Sequence, residues 1–151
     1  MRYDKASLCG QIFIMLALVT IASQTLVAAA PNICSLLTVQ EIGAALHEQI
    51  QPPQSIQTGG CIWRGNGTDS VTIEAPDTGR PGFDNAKVRT SPVVSLTGIG
   101  DAAFAFTSLA GFVEVGLVKG NTFLTMIVQT SGGKGVQAAA TSLAAKIANR
   151  L

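Results

Sequence analysis

The chain has 151 residues, of which 47% are hydrophobic, 13% charged and 5% aromatic, with a formal net charge of +1. That length suits one ordinary domain, and so low a charged fraction excludes a disordered acidic or basic tail protein. Near-neutrality also argues against nucleic acid as a partner, because displacing its counterions takes a basic stripe.

The chain opens with Arg2 and Lys5 against one acid, Asp4, and then runs without charge from Ile12 to Val27. The small residues Ala28, Ala29 and Ala30 follow. A basic start, an apolar middle and a small-residue end are the three parts of a secretory signal peptide. Val27 and Ala29 suit the −3 and −1 positions of a cleavage site, so residues 1–29 read as the leader and 30–151 as a single domain. An uncleaved anchor is the alternative, but the apolar run of roughly 16–19 residues is only at the lower edge of spanning length. Once the leader is removed, no stable membrane span is expected. Losing Arg2, Lys5 and Asp4 balances the remaining charges.

Cys9 departs with the leader and leaves Cys34 and Cys61. In an exported chain these two are expected to form a disulfide. It would close a loop of about 28 residues and stabilise the fold by roughly 3–4 kcal/mol. The alternatives are a reactive thiol and a metal pair, and the metal pair lacks ligands: His47 is the only histidine, and a tetrahedral site needs four donors. No metal and no cofactor are expected.

Thr38-Val-Gln-Glu41 has the capping-box spacing, and Leu37 and Ile42 stand where a hydrophobic staple would place them. Val39, Ile42, Ala45 and Leu46 continue as one apolar stripe, which predicts a helix from Val39 to about His47. Pro52-Pro53 then imposes a surface loop. Cys61–Arg64 and Ser70–Ala75 flank Gly65-Asn66-Gly67 and read as a hairpin. The polar, turn-rich stretch from Pro76 to Pro92 reads as a loop, with room for a short helix around Phe83–Val88.

Val93–Leu96 is expected to be a strand and Gly98–Asp101 a turn. A second hairpin joins Gly111–Lys119 to Thr122–Gln129 at Gly120-Asn121. Phe123–Val128 is apolar on both faces, which places it centrally, beneath helices on one side. After the glycine-rich Ser131–Gly135, a helix is expected from Val136 to Leu151, with Lys146 and Arg150 near its negative pole. Strand runs with terminal helices predict an α+β fold: an antiparallel sheet of about four to six strands, packed on an N-terminal and a C-terminal helix.

Residues able to carry chemistry are sparse. His47, at a helix end, has no identifiable nucleophile or orienting acid, and its position suits the helix dipole. Ser131–Gly135 with Lys134 could cradle an anion on backbone N–H groups, but it lacks P-loop spacing and reads first as a flexible connection. The carboxylates Asp69, Glu74, Asp77, Asp84, Asp101 and Glu114 are scattered, and Asp101 in its turn is expected to bond its own backbone. Trp63 is expected to pack over the disulfide. Asn66-Gly-Thr68 matches the glycosylation triplet, although a hairpin turn explains it equally well.

Cys34-Ser-Leu-Leu-Thr38, Gly60-Cys61-Ile-Trp63, Gly98–Phe104 and Val118–Leu124 together resemble a group of small exported bacterial domains. These are best known as actinobacterial lipoproteins of unknown function with Mog1/PsbP-like folds, and the extracellular sensor domains of bacterial receptor kinases are similar. The resemblance spans nearly the whole chain after the leader. It implies a Cys34–Cys61 bridge and a sheet packed on helices, and it supplies no catalytic residues. This chain departs from the lipoproteins in lacking a cysteine at the cleavage site.

The expected function is an exported, periplasmic or secreted, non-catalytic module that binds an envelope component, a small apolar ligand or a protein partner. Recognition is placed on the Pro76–Pro92 loop through Arg80, Phe83, Asp84, Lys87 and Arg89, because loops on rigid scaffolds carry binding. The alternatives are a small envelope hydrolase or isomerase using Glu74, Asp101 or Glu114, and a protease-inhibitor-like module. If the leader is cleaved as read, N-terminal sequencing of the exported protein will begin at Ala30; a chain starting at Met1 or Arg2 would refute the cleavage.

Overall fold

A computed structural model describes residues 32–76, 78–90, 92–133 and 135–151. The leader, Asp77 and Lys134 therefore lie outside the described residues. A 3₁₀ turn, Ile33–Ser35, leads into helix α1 (Val39–Leu46). Strands β1 (Gln54–Ser55), β2 (Cys61–Arg64) and β3 (Ser70–Glu74) follow, then helix α2 (Gly79–Arg89). Strands β4 (Val94–Leu96), β5 (Ala102–Thr107), β6 (Phe112–Lys119) and β7 (Thr122–Gln129) precede helix α3 (Val136–Ala148).

The strands form one seven-stranded sheet in the order β1-β2-β3-β7-β6-β5-β4, antiparallel throughout. The α+β class and the two terminal helices are as the sequence predicts, with seven strands in place of four to six. The doubly apolar strand β7 lies at the centre. On one face Val71, Ile73, Val113, Val115, Leu117, Leu124, Met126 and Val128 are buried with Ile42, Ala140, Leu143 and Ile147. That layer holds α1 and α3 side by side over the sheet.

Helix α2 corrects the sequence reading. The Pro76–Pro92 stretch is not a loop with a short helix at its centre, because Gly79–Arg89 is helical. Two glycines and Pro81 argue against helix locally, and packing overrides them. Phe83 and Ala86 are buried against Phe104, Val118 and Phe123, on the face opposite α1 and α3. The Phe83 ring lies 5.3 Å from Phe104 and meets Phe123 edge-on at 5.9 Å. Such pairs add about 0.5–1.5 kcal/mol beyond area burial. Gly116 leaves the room this layer needs, since a Cβ there would run into the Phe104 ring.

The N-terminal segment is fastened twice. Cys34 and Cys61 form a disulfide with 5.2 Å between their α carbons. Trp63, two residues along β2, is fully buried in the same cluster. The capping box is present: Thr38 Oγ1 accepts from the Glu41 N–H at 3.2 Å, and Glu41 Oε2 accepts from the Thr38 N–H at 3.0 Å. Glu41 also accepts from both Arg150 amino groups, at 2.7 and 2.8 Å, and Arg150 donates to the Leu36 carbonyl. The end of α3 is thereby locked to the start of α1.

The Arg150 guanidinium and the Thr38 donors hold the Glu41 carboxyl down at about 2 from an ordinary 4.5. A lowered folded-state pKa contributes stability above the unfolded value that is lost as pH falls through the folded one. Glu41→Gln should therefore destabilise by about 2 kcal/mol at neutral pH, the scale of hydrogen bonds to a charged group. Measured by denaturant titration, that deficit should shrink between about pH 4.5 and about pH 2. A deficit independent of pH would show that the ionised clamp is not its source.

Candidate functional site

Two concavities lie at the helix–sheet junctions. One, of about 300 Å³, lies between the ends of α1 and α3 and is lined by Leu46, His47, Asp69, Thr130, Gly135 and Val136, among others. His47 caps α1 in the left-handed conformation at φ 59° and is exposed. Two N–H groups of the glycine-rich segment are already taken within the protein. Asp69 Oδ1 accepts from the Ser131 N–H, and Thr130 Oγ1 accepts from Gly133 N–H at 3.2 Å. The Asp69 carboxylate on the Ser131 N–H repels a second anion there.

The other is a groove of about 430 Å³ on the open part of the sheet beside α2. Helix α2 covers only the Phe104–Val118–Phe123 end of this face. Beyond it, Ile62, Thr72, Ile127, Glu114 and Phe106 stand in register across five strands. Alternation along each strand puts these side chains on the same face. The next row brings Glu74 opposite Thr125. Ile127 is 37% exposed and Val88, on α2, is 77% exposed.

Glu114, Glu74, Thr125, Arg89 and Thr90 supply the groove's polar lining, and Phe123, Ile127 and Ala86 its apolar lining. Burial pushes the Glu114 carboxyl above its ordinary pKa, and the Arg89 charge opposes this only in part. The ion pairs among the described residues are Arg80–Asp84, Lys146–Glu41 and Arg150–Glu41, so Arg89 does not close onto Glu114. Glu74 accepts from the Thr58 hydroxyl at 2.8 Å.

The five residues proposed from the supposed loop separate. Phe83 is a packing residue with 3% exposure. Arg80 pairs with Asp84 at 3.5 Å on the outer side and lies 5.3 Å above the Phe83 ring. Lys87 is exposed, and Arg89 alone of the five lines the groove. Of the three carboxylates considered for hydrolysis, Glu74 and Glu114 share the groove. Asp101 bonds not its own backbone but that of the next turn, accepting from the Gly120 N–H at 2.7 Å, and so ties two turns together.

Asn66, of the glycosylation triplet, is exposed at the first hairpin turn. Glu48 braces that turn by accepting from the Asn66 N–H at 3.3 Å. Among the described residues no three His, Cys, Asp or Glu side chains gather as a metal site, and no helix is long and apolar enough to cross a membrane.

The chain matches no family model, and no curated protein or solved structure matches it.

Glu114 supplies a pH test of the groove's interior. A carboxyl with a raised folded-state pKa binds more protons folded than unfolded, so its contribution to stability falls as pH rises above the unfolded value. Glu114→Gln should raise the melting temperature at pH 7 and have little effect at pH 3. Equal effects at the two pH values would mean that Glu114 is not desolvated.

Proposed function

We propose that this chain is an exported, non-catalytic binding module, and that it recognises an envelope component through the groove between α2 and the open sheet face. The observation that carries this reading is the groove itself. Apolar and polar groups converge in a concavity within the size range of small-molecule sites, on a rigid antiparallel scaffold. Export is supported by the tripartite leader in the sequence and by the Cys34–Cys61 disulfide, a bond typical of oxidising compartments. The resemblance to exported bacterial lipoprotein and sensor domains points the same way.

A carboxylate hydrolase remains the second reading, because Glu74 and Glu114 line one concavity. Their backbones are separated by β7 and offset by two residues along the strands. That places the α carbons roughly 12 Å apart. Glu74 is also engaged by Thr58. Binding therefore accounts for more of the groove than an acid–base pair does.

Retention of a soluble envelope extract on the immobilised chain tests the site. Ile127→Asp puts a charge on the groove wall and should weaken retention about tenfold, or 1.4 kcal/mol. Ala138→Asp, in the cleft between α1 and α3, should leave it unchanged. The opposite pattern, or equal retention by both folded variants, would overturn the assignment of the groove.

A further inference from the structure

The groove holds an anion and a cation that face the same space without meeting. Glu114 lies on β6 directly across from Ile127 and is half-buried. Nothing among the described residues hydrogen-bonds its carboxylate strongly enough to offset its desolvation. Arg89, the last residue of α2, is exposed and lines the same wall, near enough for its charge to act on Glu114 yet in no ion pair. A partly desolvated carboxylate without a partner is an unfavourable arrangement that a ligand ammonium relieves. A free guanidinium is the side chain best shaped to receive a carboxylate through two parallel N–H donors. Around this pair, Phe123, Ile127 and Ala86 supply apolar contact, and Thr125 and Glu74 add polar lining.

We propose that the groove binds a free α-amino acid with an apolar side chain as its zwitterion, with the ammonium on Glu114 and the carboxylate on Arg89. This rests on the reading of the groove as the binding site and assigns that site its ligand class. Opposite charges on adjacent carbons of one small molecule bridge two protein groups that are held apart. The apolar side chain then lies against Ile127 and Phe123, where water is displaced from carbon rather than from polar groups. A simple cation would leave Arg89 unused and repelling. A simple anion would meet Glu114 and Glu74.

The test titrates the folded chain with leucine, N-acetyl-leucine and leucinamide. Binding is followed by backbone amide shifts of Gly116, Thr125 and Ile127, with calorimetry for affinity. Leucine should shift these resonances saturably. Removing either of its charges should weaken binding by at least about tenfold. Glu114→Gln should erase the preference for leucine over N-acetyl-leucine, and Arg89→Gln the preference for leucine over leucinamide.

No saturable shift up to about 10 mM leucine, in the weak millimolar range, overturns the proposal. So does equal binding of all three probes. Either result leaves the groove's role in envelope retention standing if Ile127→Asp still weakens that retention about tenfold. Loss of leucine binding on Ala138→Asp alone would place the amino acid in the other cleft and also refute the assignment.

Discussion

Two adjacent central strands, apolar on one face and, but for Glu114 and Thr125, largely apolar on the other, set the terms for everything around them. β6 and β7 bury Val113, Val115, Leu117, Leu124, Met126 and Val128 on one side and present Val118 and Phe123 on the other. Strands of this kind are stable only when covered twice. The first cover is broad, made by α1 and α3 together. The second is a single helix of poor intrinsic propensity, held by Phe83 and Ala86, and it stops short of the sheet's other half. The groove is what remains uncovered. It is concave because α2 stands up from the sheet along one side.

The broad cover depends on fastenings at the ends of the chain. The disulfide holds the segment before α1 against β2, and the capping box starts the helix immediately afterwards. Glu41 serves the cap and the Arg150 pairing with the same carboxylate, so helix initiation and helix–helix docking are coupled. Lys119 Nζ donates to the Ala148 carbonyl at 2.7 Å and ties the second hairpin to the end of α3. These contacts join residues far apart in sequence, and together they make the α1–α3 layer one unit on which the groove side can rely.

Where hydrophobic period and capping chemistry agree, the sequence alone placed the elements. α1 begins at its capping box, the two hairpins turn where Asn-Gly and Gly-Asn stand, and β7 is central because both its faces are apolar. What it concealed has physical reasons. α2 contains Gly79, Pro81 and Gly82, and only its contact with three residues of the sheet makes it helical. β5 is rich in alanine, which gives little strand signal, and its pairing with β6 accounts for it. β1 has two residues and exists only as a partner for β2.

The site was legible only in pieces. Glu114 is a lone charge inside Phe112–Lys119, an otherwise apolar run up to Lys119, and that irregularity was its one signal. Arg89 stands in a stretch whose composition reads as loop, although it ends a helix. Glu74, Glu114 and Arg89 come together because β7 inserts between β3 and β6, and strand order is not written in local periodicity. The candidate residues from the supposed loop divide for the same reason. A helix turns some of them toward the sheet and others toward water, whereas a loop reading treats them alike.

The sheet's outer margins differ from its centre in one respect that bears on the molecule's life in a crowded medium. The two flanking strands are two and three residues long, and one of them begins right after a proline pair. Few unsatisfied backbone groups are left there for a foreign strand to zip onto. A sheet with so apolar a middle thus offers a foreign strand little to pair with along its rim.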